Sequence, residues 1–136
     1  MMNRTKKLAI CILLSIISLN LFAQYIPGQS YFSANNYIEY IAGDLPIIIV
    51  APHGGHLTPS NLPNIGTHGR DNGAQQTTLQ LYDSIVSHTN GCIPHVIINH
   101  LHPTKLNAAR EIDTAAGTNL DARQAWYDFH DFIDTA

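Results

Sequence analysis

Between Tyr37 and Ile41 apolar and polar residues alternate, and Gly43-Asp44 then leads into an apolar run from Leu45 to Ala51. A period of two predicts a half-buried strand, and a run of β-branched residues predicts a strand covered on both faces. The glycine and aspartate between them predict that the two strands pair as a β-hairpin. Residues 54 to 73 carry five glycines and two prolines. They predict a long irregular loop, of a length that inside a compact domain is functional or disordered. Beyond it, Leu79, Leu81, Tyr82, Ile85 and Val86 recur at helical spacing between Gln75 and His88, with Gly91 as the stop. The next apolar run, Ile93 to Leu101, reads as a strand. Strand, loop, helix and strand in this order predict a βαβ unit: Pro46 to Ala51 parallel to His95 to His100, with the helix packed across both. Thr104 is placed to cap a short helix over Lys105 to Ala115, and Asn119 or Thr118 a last helix from Asp121 onward.

The amino-terminal apolar run has a different meaning. Arg4, Lys6 and Lys7 precede Leu8 to Leu19, and Leu21-Phe22-Ala23 follows, the order of a secretory signal peptide. Residues 1–23 are expected to be removed, so the mature chain begins near Gln24 and is secreted or periplasmic. The run is shorter than the ~20 residues that span a bilayer, so no stable membrane span is expected after cleavage. A lipoprotein reading through Cys11 is disfavoured by the bulky Ile10 before it.

Cleavage leaves four basic residues against ten acidic ones, a balance that makes nucleic acid and anionic membranes poor partners. Cys92 is then the only cysteine, which excludes a disulfide framework. All eight histidines lie in the mature part. Imidazole and carboxylate without thiol is the ligand palette of a catalytic zinc site rather than of a zinc finger. About 113 residues suffice for one small core. The helical stripe from Ala125 to Ile133 meets no capping glycine before Ala136, so residues 24–136 are read as the N-terminal part of a single domain, truncated at its C-terminus.

Candidate chemistry gathers where the predicted strands end. Pro52 stops the first apolar run and delivers His53 into Gly54-Gly55, with His56 next. Open α/β sheets place their sites at the carboxyl ends of such strands. The glycines are expected to clear room for an ion or substrate near the backbone. Arg70-Asp71 precedes the predicted helix, and His100-Leu101-His102 closes the next strand, followed by Lys105 to Arg110. The plainer readings are a turn histidine at His53, a helix-dipole charge at Asp71 and surface side chains at Lys105 and Arg110, the latter paired with Glu111 or Asp113. His130, one turn from Trp126, reads as a half-buried helix residue.

With Ala51-Pro52-His53-Gly54-Gly55, Arg70-Asp71 and His102 to Arg110 taken together, the chain resembles the N-formylglutamate amidohydrolase-like family, zinc hydrolases related in fold to the carboxypeptidases. The first segment is similar to the family's Pro-His-Ser/Gly-Gly turn, the second to its acidic position before the first helix, the third to its segment ending Asp-x-Asn-Arg. The resemblance runs from about Tyr37 to the C-terminus. It implies an α/β three-layer sandwich with a mixed, partly parallel sheet. It also implies zinc held by His53 and Asp71, with His56 the rival for the second place. Arg110 becomes the guanidinium that grips a substrate carboxylate, with Arg70 and Asn107 as further substrate contacts. The activity implied is hydrolysis of an amide bond beside a carboxylate, in an N-acyl amino acid or at a peptide end. This chain departs from the pattern at Asn107, where the family has aspartate, at Ala109, where it has asparagine, and at Pro103, where arginine is usual. The family's third zinc histidine falls beyond the last residue, and no general base is identified. The alternative from another class is a non-catalytic binding protein or inactive remnant of the same fold. A different metal site on His100 and His102, which alternation puts on one face, lacks a third ligand of its own.

Overall fold

The computed structural model describes residues 25–65 and 71–136. The leader assigned to residues 1–23, and Arg70, lie outside the described residues. Strands β1 (Ser30–Phe32), β2 (Ile38–Ile41), β3 (Ile48–Ala51) and β4 (His95–Asn99) form one sheet with helices α1 (Ala74–His88), α2 (Ile112–Ala116) and α3 (Leu120–Thr135). The strand order is β1-β2-β4-β3, with β1-β2 and β2-β4 antiparallel and β3-β4 parallel. The fold is therefore α/β with a mixed sheet.

The expected βαβ unit is present: Ile48 is opposite His95 and Ala51 opposite Ile98 in parallel register, and α1 connects the two strands. The expected β2-β3 hairpin is not. Gly43-Asp44 carries the chain past the start of β4 rather than folding it back. Asp44 and Leu45 donate their backbone N–H groups to Ile93 O, while the Asp44 carboxylate accepts from Ile93 N at 2.6 Å. β4 thus enters between the two strands, and β2 pairs instead with β1, which has no periodic signature of its own. Asn36, left-handed at φ 56°, and the Asn36 N–H to Ser33 O bond close that hairpin.

Strict alternation sorts the core. Ile41, Ala51, Val96 and Ile98 face α1 through Tyr82. Ile38, Tyr40 and Ile97 face the other way, onto Ala122, Ala125 and Phe129 of α3. Fully burying a side chain such as Ile97 or Leu101 is worth roughly 1.5–3 kcal/mol, and these two clusters hold the helices to the sheet. The expectation that β3 is covered on both faces fails. It is the edge strand, and Ile48 and Val50 are 43% and 41% exposed, because the far-side helix packs on β2 and β4 instead.

Downstream, Asn119 caps α3 by accepting Ala122 N–H at 2.9 Å. The helix expected over Lys105 to Ala115 reduces to Ile112–Ala116, because the Thr104 hydroxyl bonds His102 Nδ1 instead of capping a helix. Lys105 is not solvated: its Nζ is buried and donates to Leu62 O at 2.6 Å. No helix among the described residues is long and apolar enough to cross a membrane.

Candidate functional site

His53 follows β3 at the carboxyl end of the parallel pair, and its position is set by three segments distant in sequence. Pro52 O accepts Asn99 Nδ2 at 2.9 Å and Ala108 N–H at 3.2 Å. Asn99 is completely buried. Its amide also donates to Leu106 O, and its oxygen accepts Leu101 N–H, so one side chain satisfies the ends of β3 and β4 and the following turn together. A buried amide deprived of such partners costs about 1–3 kcal/mol per orphaned group. Nothing in the alternation of β4 distinguishes Asn99, and sequence reasoning passes over it.

Gly55 acts through packing, whereas Gly54 both packs and lines a cleft. A Cβ on Gly55 would lie 2.1 Å from His100 O, against backbone that cannot yield. Gly54, at φ +98°, would meet the Ala74 methyl at 2.9 Å and Asp71 O at 3.1 Å. The turn is thereby pressed between the end of β4 and the start of α1. Leu57 then runs alongside Leu101, donating to His100 O and accepting from His102 N–H.

This packing brings His53 against Asp71. Nδ1 of His53 lies 2.9 Å from Asp71 Oδ2, across the glycine-rich loop. The nitrogen is fully buried yet makes no aligned hydrogen bond, so the approach is close but off the direction of a ring N–H. An imidazole nitrogen and a carboxylate oxygen about 2.0–2.2 Å from a tetrahedral zinc ion stand roughly 3.3–3.6 Å apart, so this pair would open by a few tenths of an ångström to hold one, and the donor chemistry fits zinc. The fit is partial: among the described residues no three His, Cys, Asp or Glu side chains converge as a metal cage. His56 does not join the pair. It is exposed and lines a cleft of about 450 Å³ with Gly54 and Gly73.

The third segment is anchored nearby by the Ala108 bond to Pro52. Arg110 is exposed, with its carbonyl held by Trp126 Nε1 at 2.8 Å. It pairs with neither Glu111 nor Asp113, since Asp113 binds Arg123 at 2.6 Å, so its guanidinium has no ion-pair partner among the described residues. Asn107 turns its oxygen back onto Ala109 N–H, which leaves its NH₂ group for other contacts. His130 is half-buried, stacked on Trp126 at 3.7 Å and bonded to Trp126 O.

A second histidine–carboxylate pair escaped the sequence reading. His100 Nε2 lies 2.8 Å from Glu39 Oε2, Ser30 Oγ donates to Glu39 Oε1 at 2.7 Å, and Phe32 stacks on the imidazole. The hydrogen bond from His100 holds the Glu39 carboxyl below its usual range; burial opposes this, and the Ser30 bond adds to it. The available signal was Glu39 as the lone acid on an alternating strand. His102 is committed elsewhere, to Thr104, so His100 and His102 do not form a shared metal site. No protein-family model, curated protein or solved structure matches the chain.

Proposed function

We propose that the protein is an exported zinc-dependent hydrolase that cleaves an amide bond adjacent to a carboxylate, with the three-layer sandwich of the N-formylglutamate amidohydrolase-like family. The observation that carries this reading is the convergence of His53 and Asp71, with a buried Nδ1 that no aligned hydrogen bond uses. Helices packed on opposite faces of the mixed sheet support the layering. His53 Nδ1 and the Asp71 carboxylate hold the ion, and Gly54, Gly55 and Asn99 fix the turn that aims the imidazole. Zinc, when bound, supplies Lewis acidity toward a carbonyl oxygen. Arg110 grips the substrate carboxylate through its planar fork. Its loop is tied to Pro52, which gives clamp and ligand a common support and lowers the entropic cost of orienting the amide. A catalytic site needs three protein ligands, and the third is assigned to residues other than those described.

The test is zinc content and affinity of the purified mature chain. His53→Ala is expected to weaken zinc binding by more than the roughly 10–100-fold that loss of an outer partner costs. Unchanged affinity in His53→Ala would remove the assignment. The second reading, a binding protein that keeps the fold without the reaction, is favoured by Ala109 and by the Asn107 oxygen turned into its own loop. Zinc-loaded protein that binds an N-acyl amino acid without hydrolysing it would support that reading instead.

A further inference from the structure

The cleft beside the His53–Asp71 pair has chemistry of its own. One end is formed by Gly54 and Gly73, next to the two proposed ligands, and from there it follows α1 past Gln76, Gln80 and Asp83. Positions 76, 80 and 83 are spaced i, i+4, i+7 and share one helix face. At 1.5 Å per residue, Gln76 and Asp83 are about 10 Å apart along the axis, the span of roughly three extended peptide residues. Gln76 and Gln80 are exposed, and each amide offers both a donor and an acceptor to a passing backbone. Gln75 is excluded from this role, since its Nε2 donates to Asn99 O. Among the described residues that line the cleft, Asp83 is the only aspartate, glutamate, lysine or arginine, and His56 is the other titratable group. Asp83 has no ion-pair partner among the described residues, and α1 carries neither lysine nor arginine. The neighbouring His88 ring is bonded to Ser84 O.

We propose that this cleft binds the acyl side of the substrate as a short extended peptide, and that Asp83 selects a chain bearing a primary ammonium, held some 10 Å along the helix axis from Gln76. Gln76 and Gln80 hydrogen-bond the peptide groups between, and Leu79 gives the aliphatic stem of a lysine-like side chain an apolar wall. The position of the scissile amide rests on the hydrolase reading; binding of the ammonium-bearing chain does not.

The experiment compares acetyl-Lys-Ala-Ala with its norleucine counterpart, which lacks only the ammonium. Affinity for the full chain is measured by calorimetry, and amide shifts of Gln76 and Gln80 by NMR. The lysyl peptide is expected to bind up to about fivefold more tightly, the range of an exposed ion pair, and ~1 M salt to shrink the preference. Asp83→Asn is expected to bring the two affinities together and Asp83→Lys to invert their order. Equal affinities in the wild type, or a preference that survives Asp83→Asn, overturn the proposal. Incubation of zinc-loaded protein with both peptides separates the two readings. Selective binding with no cleavage of either peptide sinks the hydrolase and leaves the cleft assignment standing. Cleavage of both without a lysyl preference does the reverse.

Discussion

Several side chains that hold the fold are polar groups whose roles depend on neighbours far away in sequence. His95 is the sharpest case for measurement. Its Nδ1 accepts both Tyr40 Oη at 2.8 Å and Gly43 N–H at 3.1 Å, so the ring is held in its neutral form with the proton on Nε2. Burial lowers its pKa from the ordinary 6.5, with Asp44 acting weakly the other way. Protonating Nδ1 would leave Gly43 N–H without its acceptor and force the Tyr40 hydroxyl to turn from donor to acceptor, where β2 turns toward β3. Because the folded value is depressed, the unfolded chain takes up the proton first as the pH falls. The stabilisation is complete above 6.5 and is lost between 6.5 and the lower folded value. Urea midpoints should therefore decline through this window, and His95→Gln should flatten that decline. Glu39, also lowered, adds a separate loss only below 4.5. A wild-type midpoint constant from pH 7 to pH 5 would refute the role given to His95. The sequence singles out His53 at the end of an apolar run and Asp71 at the exit of a glycine-rich loop, and the family resemblance pairs them; the structure brings the two side chains to 2.9 Å. Sequence reasoning misses Glu39, Asn99 and His95, and takes Lys105 for a solvated residue, because partners 43 to 61 residues away decide each case.

At the scale of elements, legibility follows how local the determinants are. α1 is set by helical spacing, with Gly91 beyond its end, and α3 by helical spacing and the Asn119 cap, and the sequence marks both. The Asn119 cap gives a direct check: Asn119→Ala should cost about 0.5–2 kcal/mol by loss of the Ala122 N–H bond, read from thermal or urea unfolding. Asn119→Asp should retain most of that stability, and equal losses for the two substitutions would mean that the side chain acts by something other than capping. Strand partnership, in contrast, is non-local. The alternation of β2 and the apolar run of β3 identify two strands correctly but say nothing of β4 entering between them. Ile47 to Val50 reads as a doubly covered strand because β-branched residues suit any pleated surface. Nothing within that run records that it lies at an edge.

For the molecule as a whole, the parallel β3-β4 pair and α1 supply the frame, and the loop between them closes a contact from His53 to Asp71 that joins the sheet to the start of the helix. Any ligand shared by those two side chains binds the folded chain and not the unfolded one, so it must stabilise the fold by mass action. Free zinc at 100 times its dissociation constant should raise the unfolding free energy by about 2.7 kcal/mol. For a domain of this size that moves the melting temperature by several degrees. The gain should disappear in both His53→Ala and Asp71→Ala and persist in Asp83→Asn, which lies along the helix and away from the pair. A gain of equal size in all three variants would place zinc elsewhere on this histidine-rich chain. Since His53 comes from the end of a strand and Asp71 from the approach to a helix, loss of either should remove the zinc-dependent gain while leaving the metal-free fold largely intact. That separation would distinguish a site built on the frame from one that holds the frame together.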